Sequence, residues 1–183
     1  MLRRHLLASA ALTLAACGGL DEFEEVIVEE ASIPRSDTGI TGPYAPAFGA
    51  GFSNIDLSRS GTFADEGISP DDVDAIYVKS VTLEVEHQSG DARLEELNLY
   101  VESMTMKVTA TGQPEAMLAE LPLPVPMTSS AELEVPMDFD LKPYATAEAM
   151  TVSATVNLAE PRGVAITIRT TIRLLIDVNI LGQ

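Results

Sequence analysis

Two segments near the end of the chain alternate apolar and polar residues, over positions 150–158 and again over positions 164–180. Successive side chains of a β-strand point to opposite faces, so this period of two predicts two strands that each bury one face. Residues 160–163 are typical of a reverse turn, which makes the pair a predicted C-terminal hairpin. The second strand would span about 55 Å, so we expect a bulge or a switch between sheets within it.

The same alternation assigns the two faces of the last predicted strand. Its polar set includes Arg169 and Arg173, which are expected to face solvent. Its alternate positions are expected to face the core: Val164, Ile166, Ile168, Thr170, Ile172, Leu174, Ile176, Val178 and Ile180.

Shorter alternating segments recur through the middle of the chain. They predict an edge strand from Val26 and strands over residues 76–85, 97–108 and 133–141. In the first of the longer segments Lys79 and Ser80 interrupt the pattern, which indicates a β-bulge. Three other segments are predicted to lack strands: a loop at 36–54, a helical turn at 69–74 and an extended crossover at 121–126.

Short strands with one apolar face each, and no long helical period, predict an all-β fold. The favoured architecture is an antiparallel β-sandwich, Ig-like or similar, with at most one or two short helical turns. A compact barrel is the alternative architecture.

The start of the chain has the three zones of a secretion signal. Arg3 and Arg4 form a short cationic region, and an apolar stretch follows over residues 6–16. That stretch is too short to cross a bilayer as a helix, which takes roughly 20 residues. The paired arginines are also similar to a twin-arginine export signal, but the preceding Ser is missing and general export is favoured.

The stretch ends in Leu14, Ala15, Ala16 and Cys17, the one cysteine of the chain. This motif resembles the lipobox of bacterial lipoproteins, and the resemblance covers residues 1–18. It implies that a signal peptide of residues 1–16 is removed and that Cys17 is acylated, which attaches the protein to a lipid bilayer. Residues 17–25 would then form a lipidated tether and residues 26–183 a single domain.

The resemblance also bears on localisation within the cell envelope. Gly18 follows the cysteine, where many inner-membrane lipoproteins carry Asp, so the outer membrane is favoured. A lone cysteine does not suit a disulfide framework, which needs an even number.

The charge of the chain limits its partners. Residues 1–16 hold two of the eleven Lys and Arg residues and none of the 28 Asp and Glu residues, so residues 17–183 carry nine against 28, a formal net charge of −19. Nucleic acid is therefore excluded as a partner, because phosphate binding needs clustered Lys and Arg. An envelope protein with a basic surface, or a cation, fits this charge better.

Acidic residues suggest one candidate metal site. They cluster at Asp65, Glu66, Asp71, Asp72 and Asp74, with a second pair at Asp138 and Asp140. Calcium takes six to eight oxygens from such groups, but the glycine-containing spacing of a calcium loop is missing and half of this run is typical of a helix start. No metal ligand is assigned and no cofactor is expected.

Three further residues are of types that can carry chemistry. Met104 and Met106 lie two apart, as in copper carriers, but methionine also fills irregular cores and that interpretation is favoured. His87 is the one histidine after the signal, and no Gly-x-Ser-x-Gly motif accompanies it. The sequence therefore favours a non-catalytic, membrane-anchored module that binds or scaffolds in the envelope; a calcium- or small-ligand-binding module and an envelope hydrolase are the alternatives.

Overall fold

Eight strands and two short helical turns make up the described part of the chain, which in this computed structural model comprises residues 22–33, 42–44, 72–87, 96–147, 150–159 and 165–178. The strands are β1 (Glu22–Ile33), β2 (Gly42–Tyr44), β3 (Val73–His87), β4 (Val101–Thr109), β5 (Ala116–Glu120), β6 (Ser130–Leu133), β7 (Thr151–Leu158) and β8 (Ile166–Val178). A 3-10 turn covers Leu97–Leu99, and the helix α1 covers Lys142–Ala145.

The strands form two four-stranded antiparallel sheets. The first sheet has the order β1-β8-β3-β6 and the second has the order β2-β7-β4-β5. Their apolar faces share one core, whose largest fully buried side chains are Ile76, Leu83, Leu97, Met104, Met106, Leu118, Leu121, Leu141, Ile168 and Ile172. The all-β sandwich prediction is confirmed, and the strands described here do not close into a barrel.

Strand β8 is the centre of the first sheet, because it pairs with β1 on one side and with β3 on the other. Every second residue of β8 is buried from Ile166 to Val178. The prediction that Ile168 and Ile172 face the core is confirmed: their exposed fractions are 0% and 1%.

The predicted interruption of the last strand is wrong, since β8 alternates without a break over its thirteen residues. The irregularities lie in its neighbour β3, where the register shifts between Val73 and Ala75 and again between Val78 and Ser80. The second shift confirms the predicted bulge at Lys79 and Ser80. A long strand can stay regular when the strand beside it absorbs the accumulated twist in bulges.

The predicted C-terminal hairpin is also wrong. β7 pairs with β2 and β4 in the second sheet, whereas β8 pairs with β1 and β3 in the first. Each strand has one buried face, apolar except for Thr170 of β8, and the two faces meet across the core from different sheets. The connection at 160–164 lies outside the described residues.

Three predicted boundaries are corrected by the strands of the first half. β1 begins at Glu22 rather than near Val26, because Phe23 already packs against the core, so the predicted tether of residues 17–25 includes the first part of a strand. β2 lies inside the predicted loop of residues 36–54 and contains Pro43, which is tolerated at the edge of a sheet. β3 begins at Val73, so the predicted helical turn does not extend to Asp74.

The predicted strand over residues 97–108 begins later than expected. Its first part forms the 3-10 turn, and β4 starts at Val101 with a register shift before Ser103. That shift places Val101 and Met104 on the same buried face, although they are an odd number of positions apart.

The predicted strand over residues 133–141 is wrong for most of its length. β6 ends at Leu133, Met137 is 94% exposed, and Asp138 has a positive φ of 61°. Pro136 cannot donate to a ladder, so the apolar alternation beyond it describes an irregular loop rather than a strand. The crossover prediction is confirmed in its main point, since residues 121–129 contain no helix or strand and link β5 of the second sheet to β6 of the first.

Candidate functional site

The outward side of the first sheet brings together charged and apolar side chains from β1, β8 and β3, and we call this surface the outer face. The strand registers place its residues in rows that run across the three strands. In the order β1, β8, β3 the rows are Glu24, Leu175 and Tyr77; Val26, Arg173 and Ser80; Val28, Thr171 and Thr82; Glu30, Arg169 and Glu84; Ser32, Thr167 and Glu86.

At one end of the outer face a single guanidinium contacts three carboxylates. Arg169 donates to Glu30 Oε1 from Nε at 2.9 Å and from Nη2 at 2.7 Å. Its Nη1 lies 2.6 Å from Glu86 Oε1 and 3.6 Å from Glu84 Oε2. The hydrogen bond to Glu30, with the nearby charges of Glu86 and Glu84, raises the pKa of Arg169 above its ordinary value.

This network joins the three strands across the surface. Arg169 lies on the central strand, with Glu30 on β1 and the other two acids on β3. The prediction that Arg169 faces solvent is confirmed, although its side chain is only 34% exposed because it lies among these carboxylates. Exposed ion pairs contribute little singly, so the network fixes positions more than it stabilises the fold.

A second ion pair lies toward the other end of the outer face. Lys79, the residue at the β3 bulge, donates to Glu24 of β1 and so reaches over β8. The hydrogen bond from Lys79 and then its positive charge lower the pKa of the Glu24 carboxyl from its ordinary value. Arg173 is exposed between the two networks, as the sequence predicted.

Exposed apolar side chains also lie on the outer face: two valines between the two ion-pair groups, and Tyr77 in the row of Glu24. Val26 and Val28 are 44% and 50% exposed, and Tyr77 is 39% exposed. The two valines lie on β1, which is an edge strand: β8 pairs with one of its sides, and no strand of the described chain lies along the other.

Two cations of the outer face are already paired with carboxylates. Arg169 is paired with Glu30, and Lys79 is paired with Glu24. Within the ranges that the structure describes, no three His, Cys, Asp or Glu side chains are close enough to hold one metal ion.

Several residues singled out from the sequence fall outside the description. Cys17, Asp65, Glu66 and Asp71 are not among the described residues. The backbone of His87 ends β3, and its side chain is likewise outside the description. The two remaining acids of the first cluster lie where β3 begins: Asp72 half-buried and Asp74 exposed.

In the second acidic pair, Asp140 has a structural role. Asp140 Oδ1 accepts hydrogen bonds from the backbone N–H groups of Ile76 at 3.0 Å and of Lys142 at 2.9 Å. Its carboxylate therefore joins the start of α1 to β3. Asp138 is exposed and lies in the left-handed region, which Asp tolerates better than most residues.

Replacing Asp140 by alanine should lower the free energy of unfolding by about 2 kcal/mol, because two amides lose a charged acceptor. Denaturant unfolding followed by circular dichroism measures this loss. The matched control is Asp138→Asn, which keeps a residue that tolerates positive φ and should stay within about 0.5 kcal/mol of the unmodified protein. Equal losses in the two variants would contradict the role given to Asp140.

The methionine pair belongs to the core, as the core-filling interpretation expects. Met104 and Met106 of β4 are both 0% exposed and belong to the main apolar cluster. They lie opposite Val156 and Ala154 of β7, so apolar neighbours surround both thioethers.

Thr170 is a feature that the alternation could not distinguish from its apolar neighbours. It lies on the core side of β8 with an exposed fraction of 0%, and its Oγ1 has no hydrogen-bond partner in the described structure. Leu83 and Glu29 are opposite it on the two flanking strands.

Replacing Thr170 by valine should raise the free energy of unfolding by about 1 kcal/mol. Valine has the same shape and the same β-branch, and it removes a buried hydroxyl that gains no hydrogen bond on folding. Denaturant unfolding of Thr170→Val beside the exposed control Thr155→Val separates this effect from strand propensity. A loss of stability in Thr170→Val would show that the hydroxyl is paired.

The sequence identified the solvent-facing arginines but not the site that they form. Glu30 and Arg169 are 139 positions apart, and they meet only because β1 and β8 pair in one particular register. Exposed valines on an edge strand also follow the ordinary alternation of a strand with one buried face, so no local signal distinguishes them.

No helix among the described residues has the length and apolar character needed to cross a membrane. No protein-family model matches this chain, and no curated protein matches it at a significant level.

Proposed function

We propose that this protein is a lipid-anchored, non-catalytic module of the bacterial cell envelope that binds a protein partner there. The observation that carries the proposal is the position of the exposed edge strand. β1 begins at Glu22, five positions after Cys17, and it presents the exposed side chains of Val26 and Val28 on the outer face. A surface suited to contact thus lies directly after the proposed acylation site.

The anchoring half of the proposal rests on the lipobox resemblance. Acylation at Cys17 would attach several hydrocarbon chains, and two lipid signals already give stable membrane attachment. The short connection to β1 would keep the sandwich within about 18 Å of the bilayer surface, at 3.3–3.6 Å for each extended residue. Gly18 favours the outer membrane as the site of attachment.

The binding half rests on the outer face. The acidic chain suits a partner that presents basic or neutral groups, and it does not suit nucleic acid or an anionic lipid surface. The two ion-pair groups hold Arg169 and Lys79 on the surface, and the exposed valines Val26 and Val28 between them supply apolar contact area.

Metabolic labelling with radioactive palmitate, followed by membrane fractionation, tests the anchoring half in cells that express the whole chain. The expected product is shorter by 16 residues, carries label and sediments with the outer membrane. An unlabelled product in the soluble fraction would contradict the proposal. Label in the inner membrane would preserve the anchor and overturn the choice of membrane.

A further inference from the structure

The methionines that follow the proposed signal divide into two sets by their exposure to solvent. Three belong to the core, with exposed fractions of 0%, 0% and 4%: Met104, Met106 and Met150. Three lie at the surface, with exposed fractions of 44%, 72% and 94%: Met117, Met127 and Met137. Oxidation turns the apolar thioether of methionine into a polar sulfoxide, which disrupts a core but not a solvated surface.

Met137 is the most exposed of these methionines, and it lies midway between two points at which the backbone is fixed. Three residues before it, Glu134 and Glu120 exchange two backbone hydrogen bonds, of 2.7 and 2.9 Å. Three residues after it, the Asp140 carboxylate accepts a hydrogen bond from the backbone N–H of Ile76 at 3.0 Å. Met137 is therefore at the tip of a loop that is tied to the sandwich at both ends.

The backbone beside Met137 turns its side chain away from the core. Val135 and Phe139, two positions before and after it, are partly buried and pack against the core. Between them Pro136 has a fixed φ, and Asp138 has a left-handed φ of 61°. This turn breaks the strand alternation, so Met137 points to solvent and its sulfur can be reached without any opening of the fold.

We propose that Met137 is a site of reversible oxidation, at which a peroxide converts the thioether into the sulfoxide while the protein stays folded. The O–O bond of the peroxide breaks, and one oxygen bonds to the sulfur, which loses two electrons. The other oxygen takes up the proton of the first and leaves as water. A methionine sulfoxide reductase reverses the step: the sulfoxide oxygen leaves as water while two thiols of the reductant become a disulfide.

This inference goes beyond the proposed binding function and does not depend on it. The modification replaces an apolar group at the loop tip by a polar one, so it changes what the tip can contact. The core methionines are protected by their burial, and the fold is therefore expected to persist through cycles of oxidation and reduction.

The test treats the whole chain, purified in detergent, with hydrogen peroxide and follows each methionine by peptide mass spectrometry. Met137 should oxidise at least about tenfold faster than Met104 and Met106, because a buried sulfur is reached only when the core opens. Met127 and Met117 should fall between these extremes, in the order of their exposure. In concentrated urea all of these rates should become similar, since unfolding exposes every sulfur.

Reversal is tested on the oxidised, folded protein. Two methionine sulfoxide reductases, one for each sulfoxide epimer, should restore Met137 in the presence of dithiothreitol. Oxidation of Met104 or Met106 as fast as that of Met137 would overturn the proposal. A sulfoxide at position 137 that the two reductases cannot reduce in the folded protein would overturn its reversibility.

Two matched variants assign the fast reaction to one side chain. Met137→Leu should remove one sulfoxide from the early phase of the reaction. Met106→Leu, which conserves the volume of a core side chain, should leave the early phase unchanged. An unchanged early phase in Met137→Leu would overturn the assignment. A urea midpoint that peroxide lowers in the unmodified protein and not in Met137→Leu would show that oxidation at this site damages the fold, which contradicts the proposal.

Discussion

Replacing Cys17 by serine is expected to move essentially all of the protein from the membrane fraction to the soluble fraction, with the fold retained. Serine has no thiol to accept a diacylglyceryl group, so the signal can no longer be processed along the lipoprotein route. The side chains of the described core, from Phe23 to Val178, pack against one another across the two sheets, so we expect the fold to persist without an acyl chain. Fractionation and palmitate labelling measure attachment, and far-ultraviolet circular dichroism of the released protein measures the fold.

Leu20→Ser is the control for this experiment, since it also introduces a serine close to the proposed anchor and leaves Cys17 in place. It should stay labelled and membrane-bound. Serine at position 17 with unchanged membrane attachment would refute the lipid anchor. Release together with a disordered spectrum would refute the independence of the fold from the anchor.

Replacing Ile168 by alanine is expected to lower the free energy of unfolding by about 2–5 kcal/mol, from lost transfer free energy and from the cavity left behind. Ile168 is 0% exposed, and it lies between Ala31 of β1 and Val85 of β3 at the centre of the first sheet. Small domains have about 5–15 kcal/mol of stability in total, so the variant loses a large part of it. Urea unfolding monitored by circular dichroism gives the difference.

Two arginines of the same strand are the controls. Arg173 is exposed, and Arg173→Ala should change stability by less than about 0.5 kcal/mol. Arg169→Ala leaves Glu30, Glu84 and Glu86 close together without their shared cation, and a loss of up to about 1 kcal/mol is expected. A loss in Arg173→Ala as large as that in Ile168→Ala would reverse the assignment of faces on β8.

The sequence predicts those parts of this fold that depend on one strand alone. The alternation over β7 and β8 identifies which side chains are buried, because burial of one face repeats every second residue whatever the neighbours are. Lys79 and Ser80 could be recognised as a bulge for the same reason, since an extra residue shifts the alternation visibly. These predictions needed no knowledge of pairing.

The predictions that failed depend on which strands pair. Alternation does not say whether β7 and β8 lie in one sheet or in two, and a short turn between them favoured the hairpin. Alternation over residues 134–141 was equally clean, yet Pro136 and the positive φ of Asp138 end β6 at Leu133. In such segments a proline or a left-handed backbone conformation ends the strand even where the hydrophobic pattern predicts that it continues.

The candidate site is invisible to sequence analysis for a related reason. Its residues come from β1, β3 and β8, and each is an ordinary outward-facing residue of its own strand. They form a site only because the strand register places Glu30, Arg169 and Glu84 in one row. The proposed acylation of Cys17 is the opposite case, because the lipobox resemblance consists of adjacent residues and needs no fold to be recognised.

Because β8 pairs with both β1 and β3, the first sheet cannot be completed before this last described strand is in place. Among the described strands β1 is the first in the sequence and β8 the last, and β8 is the described strand that pairs with β1. Contacts over such sequence separations form slowly. The second sheet is assembled from strands that end at Leu158, so its formation does not require β8. β1 and β3, the two longest other strands of the first sheet, are joined only when residues 166–178 enter between them. β8 therefore completes the first sheet by entering between β1 and β3. The surface that carries Val26 and Val28 forms only when β8 has paired with β1.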